Sequence, residues 1–391
     1  MRIISLAIEK YAPPGNGLGF YQGKAVFVPQ TAIGDEVLVS IEKEKKRYII
    51  GRLEDIVKLG SGRRKVPCPH YMECGGCDLL HLSYSDQLEL KKDMLIEVLA
   101  GVGIQAVVDL VAAPDEFAYR HRALFRRNQE TGNFGFLRRR SHQVVDVPGC
   151  LVLAPGLKTL LGKLGVSPGL PEKTTTCYGL ASFGGAFAAA VDVGRNFQAL
   201  SGIPEIVMEN YGFGDLELAA SGFAQVNPAI TRLMISDLLN RCVDACEVVE
   251  LYGGSGTFSL PLATIARHLT VYESDPAAAA RCRRNASRNS LENVRLVSGR
   301  AEHKALPDSL DTLVVDPPRS GLQPLVIEKI VKSKASQLIY MSCNPATLAR
   351  DLVRLKAFDN GFILDLLSAY DMYAGTTHLE VMASLKRLDP V

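Results

Sequence analysis

The chain has 391 residues, a net charge of +2 and 47% hydrophobic residues. That length exceeds one ordinary core and implies two or three domains. The composition excludes a disordered chain, and the charge excludes a polycation that coats nucleic acid indiscriminately. No apolar run approaches the roughly 20 residues needed to cross a bilayer. The start, MRIISLAIEKYAPP, lacks a secretory apolar region, so a cytoplasmic location is expected, with no membrane partner.

Residues 1–60 read as a small all-β domain. Stretches at Ile3–Ile8, Lys24–Pro29, Glu36–Ile41 and Tyr48–Val57 alternate with Gly- and Pro-rich turns, which predicts a five-stranded barrel of the oligonucleotide-binding sort. GSGRRK at 60–65 reads as a linker. Residues 61–222 form the central domain. A cysteine cluster opens it, a helix over about 84–103 able to pack on the catalytic domain follows, and short strands over 118–220 suit an antiparallel sheet. Two basic runs, Arg120, Arg122, Arg126 and Arg127, then Arg138, Arg139 and Arg140, would suit RNA phosphates. From 223 to 391 the period changes to β-α-β alternation, the signature of a doubly wound α/β domain with a mainly parallel sheet.

VVELYGGSGTFSLPLA places glycines between a strand and a helix, where the backbone turns sharply and approaches a ligand closely. Its spacing is not the dinucleotide G-x-G-x-x-G pattern. Glu273 ends the next strand, where a carboxylate can accept hydrogen bonds from both ribose hydroxyls of a nucleoside cofactor. A tight turn followed by an acid suits S-adenosylmethionine, which has no phosphate. Asp316, in Asp316-Pro317-Pro318-Arg319, ends a later strand at the edge where open α/β sheets bind ligands.

Cys343 lies between a strand and the Asn-Pro-Ala-Thr start of a helix. Backbone N–H groups there favour negative charge and can lower a thiol's pKa. Glu380 in DMYAGTTHLE is the first candidate for a general base and His378 the second. Cys68, Cys74 and Cys77 sit in one loop with Gly75 and Gly76, a spacing that suits iron–sulfur or zinc. Cys150, His70 or His81 could supply a fourth ligand. Cys177, Cys242, Cys246 and Cys282 are assigned to core or structural positions.

These motifs, in this order and over essentially the whole chain, resemble the RNA uracil-5-methyltransferase family, particularly its iron–sulfur branch acting on 23S ribosomal RNA. The resemblance implies an N-terminal TRAM domain that binds RNA, and a [4Fe–4S] cluster on Cys68, Cys74, Cys77 and Cys150. Gln225, in Phe-Ala-Gln-Val-Asn at 223–227, would contact S-adenosylmethionine, as would Tyr252, Thr257, Glu273 and Asp316. Cys343 in SCNPATLARD matches the nucleophile and Glu380 the base. Two departures stand out in ELYGGSG, where Glu250 and Gly253 replace the family's Asp and Cys. Ala374-Gly375 displaces the usual proline before Thr-x-His-x-Glu.

The chemistry fits. Thiolate attack on carbon 6 of uracil makes carbon 5 nucleophilic, and a base then removes the carbon-5 proton. RNA is the expected partner, 23S ribosomal RNA first and the T-loop uridine of transfer RNA second, with no obligate protein partner. The cluster would be structural or RNA-positioning, since no step is redox. A non-enzymatic RNA-binding or redox-sensing role is opposed by the joint presence of Gln225, Glu273, Asp316, Cys343 and Glu380.

Overall fold

The computed structural model describes residues 2–164, 170–171, 173–193, 197–242, 245–358 and 361–387. Strands β1 (Ile3–Ala7), β2 (Lys10–Ala12), β3 (Asn16–Tyr21), β4 (Lys24–Val28), β5 (Glu36–Glu44) and β6 (Tyr48–Lys58) form a sheet of order β1-β5-β6-β4-β3-β2. Ile4, Leu6, Val37 and Val39 alternate inward, as period-2 patterning requires. This sheet has six strands where five were expected. The Pro-Gly segment read as a turn is itself a hairpin, with Ala12 opposite Asn16. Glycine makes it possible. A Cβ on Gly17 would lie 2.0 Å from Thr31 Oγ1, and one on Gly19 would lie 2.2 Å from the Ala7 carbonyl oxygen.

The middle of the chain holds α1 (Tyr84–Ala100), β7 (Asp109–Val111), β8 (Arg122–Arg127), β9 (Phe134–Leu137), β10 (Val144–Asp146), α2 (Pro155–Leu164), β11 (Thr176–Ala181), β12 (Phe187–Asp192) and β13 (Phe197–Ala199). Six of these strands make the expected antiparallel sheet, β10-β9-β8-β11-β12-β13. Leu157, Leu160 and Leu161 of α2 pack over it with Phe125 and Val191. A separate hairpin follows, β14 (Ile206–Asn210) with β15 (Asp215–Ala219).

The remainder is α3 (Pro228–Arg241), β16 (Glu247–Leu251), α4 (Ser259–Ile265), β17 (His268–Glu273), α5 (Pro276–Arg288), β18 (Val294–Ser298), β19 (Thr312–Val315), α6 (Pro324–Lys332), β20 (Gln337–Ser342), α7 (Pro345–Lys356), β21 (Phe362–Tyr370) and β22 (Glu380–Arg387). The eight-stranded sheet runs β18-β17-β16-β19-β20-β22-β21-β7. β16 to β20 are parallel. Of these, β16, β17, β19 and β20 are buried through their middles, as helices on both faces require, while the edge strand β18 stays partly exposed. β22 is antiparallel to both neighbours.

One strand of this sheet comes from far upstream. β7 pairs in parallel with β21, and α1 packs against α7. The Ser83 side chain caps α1, accepting the Asp86 N–H. The helix stops at Ala100, short of the expected 103, because the chain turns at Gly103 (φ +77°). Among the described residues, no helix is long and apolar enough to cross a membrane.

Candidate active site

The parallel strands deliver their carboxyl ends to one edge. Tyr252, Thr257, Glu273, Asp316 and Cys343 follow or end strands there, with Glu380 opening the antiparallel β22 at the same edge. After β16 the chain enters the left-handed region at Tyr252 (φ +68°), Gly254 (φ +58°) and Gly256 (φ +99°). Tyr252 has a Cβ and so bears some strain, held by its N–H bond to the Tyr272 carbonyl at 2.9 Å. Glu273 ends β17, buried, with Oε2 accepting the Gly254 N–H at 2.8 Å and Oε1 the Asp275 N–H at 2.6 Å. The backbone thus fixes a carboxylate that keeps lone pairs free for further donors. Gln225 is buried, and Asn227 two residues on caps α3 by accepting the Ile230 N–H. Thr257 lies half-buried in the turn before α4.

Beneath the turn lies Glu250, 1% exposed, accepting a hydrogen bond from Ser259 Oγ. Burial pushes its carboxyl up to about 8; Ser259 opposes this, while Asp316 and Glu273 add to it. The two departures in this motif are spatial neighbours. A Cβ on Gly253 would lie 2.3 Å from Val271 Cγ1 and 3.4 Å from Glu250 Oε2. Half-buried Asp316 follows β19, and burial raises its carboxyl to about 7.

Cys343 follows β20 directly. Asn344 caps α7, accepting the Ala346 N–H at 3.1 Å, and Pro345 takes the first helical position. Ser342 lies opposite Val381 in the antiparallel ladder. The register therefore puts Cys343 across from Glu380, from residues distant in sequence. The Cys343 thiol is raised above its ordinary value, contrary to what its place before a helix suggested. Burial is the main cause and the Glu380 charge adds to it, while Arg319 works the other way. Glu380, 7% exposed, is held well above the usual carboxylate range by burial and by Asp316, again opposed by Arg319.

Arg319 is the residue that motif reading passed over. Its carbonyl accepts from Asn344 Nδ2 at 3.1 Å and Thr347 Oγ1 at 3.2 Å, tying its loop to the start of α7. Its guanidinium donates to His378 Nδ1 at 2.9 Å. His378 therefore faces a cation, and burial and Arg319 both lower its pKa. The signal was present: a fixed Pro-Pro turn carries a cation immediately after a carboxylate. Phe223, near Gln225 in the chain, is 64% exposed.

Cys68, Cys74, Cys77 and Cys150 line one small cavity with Arg120 and Phe136. Among the described residues, no three His, Cys, Asp or Glu side chains converge as a ligand set for one metal ion. Burial pushes Cys77 up to about 12; the neighbouring thiols raise it further and Arg120 opposes them. Arg120 Nε is buried without a hydrogen-bond partner. His81 is engaged elsewhere, with Tyr71 Oη at 2.7 Å and the Thr31 carbonyl at 3.1 Å. Cys177, Cys242 and Cys282 are buried as expected, but Cys246 is exposed, because it lies in the connection just before β16.

The first basic run is largely structural. Arg122 donates to the Gly222 carbonyl at 2.8 Å and Arg126 to Thr176 Oγ1 at 3.0 Å. In the second run, Arg138 and Arg140 are exposed, while Arg139 binds Asp78. A groove of about 760 Å³ near Asp109, Arg241 and Leu366 lies by the opposite strand ends and holds none of the residues above.

Residues 214–388 match the family model described as tRNA (Uracil-5-)-methyltransferase. The chain is 32% identical to the 23S rRNA (uracil(1939)-C(5))-methyltransferase of Shewanella amazonensis, over 97% of this chain and 95% of that protein. It is 29% identical to the enzyme of the same description from Vibrio parahaemolyticus, over 98% and 96%. Its fold superposes on the tRNA (uracil-54, C5)-methyltransferase of Pyrococcus abyssi, solved with S-adenosyl-L-homocysteine, with a TM-score of 0.79 and 22% identity over 97% of this chain and all of that one.

Proposed function

The chain belongs to the RNA uracil-5-methyltransferase family, and from that premise we propose that it methylates a uridine of 23S ribosomal RNA with Cys343 as nucleophile and Glu380 as base. It is an S-adenosylmethionine-dependent enzyme acting on carbon 5 of uracil in RNA. The observation that carries the site assignment is the β20–β22 register, which sets a thiol and a buried carboxyl across from each other at the ligand edge.

Cys343 adds to carbon 6, forming a C–S bond and moving the ring electrons toward the 4-oxygen, which makes carbon 5 nucleophilic. S-adenosylmethionine supplies an electrophilic methyl group, and Gln225, Tyr252, Thr257, Glu273 and Asp316 would hold it. Glu380 then takes the carbon-5 proton. The released electron pair restores the 5,6 double bond and expels the Cys343 thiolate. Both groups react deprotonated. A cationic sulfonium beside Asp316 and Glu380 would draw these raised pKa values down in the loaded complex. Phe223 offers an exposed ring on which a base can stack.

The four-cysteine cavity would hold a [4Fe–4S] cluster. Soft thiolate donors suit it, they ring a cavity instead of meeting at a point, and Arg120, whose buried Nε has no hydrogen-bond partner, lines the same cavity with a charge that suits an anionic cluster. The N-terminal sheet would act as the TRAM domain of residues 1–60, followed by a central domain over 61–222 and the methyltransferase domain over 223–391. A cytoplasmic location goes with this reading, because thiols stay reduced there.

The test offers unmodified 23S ribosomal RNA and transfer RNA separately with S-adenosylmethionine, followed by mass spectrometry of the nucleosides. The expected product is 5-methyluridine in ribosomal RNA, abolished by Cys343→Ala. Methylation of transfer RNA alone would move the substrate to the family's other branch. Turnover retained by Cys343→Ala would remove the covalent mechanism. Zinc in place of iron after anaerobic purification would defeat the cluster.

A further inference from the structure

The segment 371–379 leads from β21 to Glu380, and unusually many upstream groups hold its backbone. The Gly375 carbonyl accepts two N–H groups from the cysteine loop, Asp78 at 2.8 Å and Leu79 at 2.9 Å. The Gly375 N–H donates to Gln87 Oε1 at 2.9 Å. The Ala374 carbonyl accepts from Tyr119 Oη at 2.9 Å, and the Tyr373 carbonyl from Lys91 Nζ at 3.0 Å. Contact at Gly375 is close. Its φ is +79°, and a Cβ there would stand 2.8 Å from Leu80 Cδ2 and 3.9 Å from Cys77 Sγ.

The cysteine loop is fixed in turn from the other side. Arg139 donates to the Cys77 carbonyl at 2.5 Å and to Asp78 Oδ1 at 2.6 Å. Cys74 and Cys77 flank the two residues that let this loop curl. A group joining the four thiolates would therefore fix the Asp78 and Leu79 N–H groups, and through them Gly375, five residues before the base.

The geometry points to the cysteine loop Cys74–Leu80 as a positioning element for the base: the gathered thiolates set where Glu380 stands, with Gly375 as the joint between them. This rests on the reading of Glu380 as base and of the cysteines as a metal site. It gives the metal site a task in a reaction without a redox step. The task is specific to proton removal. Cys343 is delivered by β20 and α7, and the Arg319 backbone is tied to α7 through Asn344 and Thr347, so carbon–sulfur bond formation depends on the joint far less than proton removal does.

The experiment uses the full chain with its metal group and Gly375→Ala, which forces a side chain against Leu80. RNA carrying 5-fluorouridine traps the Cys343 adduct, since methylation leaves no carbon-5 proton to remove. The variant is expected to trap this RNA like the unmutated protein and to keep its visible absorption spectrum. On ordinary uridine its turnover should fall roughly tenfold or more, as for a misplaced catalytic group, with the covalent RNA–protein species accumulating. Equal loss of trapping and turnover, or no loss of either, overturns the proposal.

Hydrogen exchange on the unmutated protein, before and after stripping the metal, needs no variant. Amides of 372–380 should exchange roughly tenfold faster in the stripped protein, while β16 and β17 stay protected. Unchanged exchange at 372–380 overturns the proposal too. Zinc in the bound fraction would sink the iron–sulfur reading alone, because a joint at Gly375 works with any group that gathers the thiolates. Normal turnover by Glu380→Gln would instead remove the base.

Discussion

Arg319 is the cation that favours the charged forms of both Cys343 and Glu380, against burial and against their own repulsion. In the proposed mechanism the reactive species is the Cys343 thiolate, and the thiol already stands above its ordinary value. Removing the guanidinium raises it further. Arg319→Ala should therefore slow adduct formation at neutral pH and move the rate–pH profile toward alkali, each unit of displacement costing about tenfold below the pKa. Rates of adduct formation on 5-fluorouridine RNA across pH would show this; an unshifted profile would assign Arg319 to RNA contact alone. Glu250 poses the opposite case. Its carboxyl is at about 8 when folded against an ordinary 4.5, so between those values the unfolded chain has lost a proton that the folded chain keeps. Stability contributed by this group is present below pH 4.5 and falls as pH rises toward 8. Glu250→Gln should remove that slope and stabilise the free protein at pH 8, by at most about 4–5 kcal/mol. Urea unfolding at pH 5 and pH 8 checks the sign, and a gain confined to pH 5 would contradict it.

At the scale of elements, α1 shows how a helix outside the C-terminal chain segment governs the site. Its buried face includes Gln87 and Lys91 among Leu90, Leu95 and Leu99. Lys91 is fully buried and pairs with Asp371, which also accepts from Tyr84 Oη at 2.8 Å. Lys91→Met would leave that carboxylate uncompensated in the interior. A loss of about 3–5 kcal/mol is expected, read as a lower urea midpoint, with part of it restored by adding Asp371→Asn. No loss would mean that the pair is solvated in solution. The polar residues at helical spacing on an apolar stripe were visible in the sequence, but their partner was not. Cys343 is legible as a candidate because a strand pattern ends there in a helix-starting motif, whereas Glu380 opens β22 and is singled out by the resemblance of its Thr-x-His-x-Glu stretch. The bond that matters for Gly375 joins segments far apart in the chain, and no periodicity reports it. The same holds for β7, three residues with no period of their own that become a strand only beside β21.

For the whole molecule, a net charge of +2 means that RNA must be held by local charge, not by an overall field. A cleft of about 460 Å³ runs between the N-terminal sheet and the turn after β9, lined by Gly15, Gln30, Arg138, Arg140, Ser141 and Thr377. Thr377 belongs to the segment that leads to Glu380, so an RNA strand in this cleft would lead toward the proposed nucleophile. Arg138 and Arg140 face solvent, with Glu73 at 3.1 Å and Glu42 at 3.5 Å as their only acidic partners among the described residues. Exposed pairs of this kind add little to stability and can exchange a carboxylate for a phosphate. Arg139 is different, since it holds the cysteine loop. The variant Arg138→Gln with Arg140→Gln should therefore weaken RNA binding, and the slope of log affinity against log salt should become shallower by about 1–2. S-adenosylmethionine binding and the urea midpoint should be unchanged, because neither arginine touches the sheet edge or the core. An unaltered salt slope would place the RNA elsewhere on the surface. A fall in cofactor affinity would mean that the cleft and the methyl-donor site are linked through Thr377 and the segment it shares with Glu380.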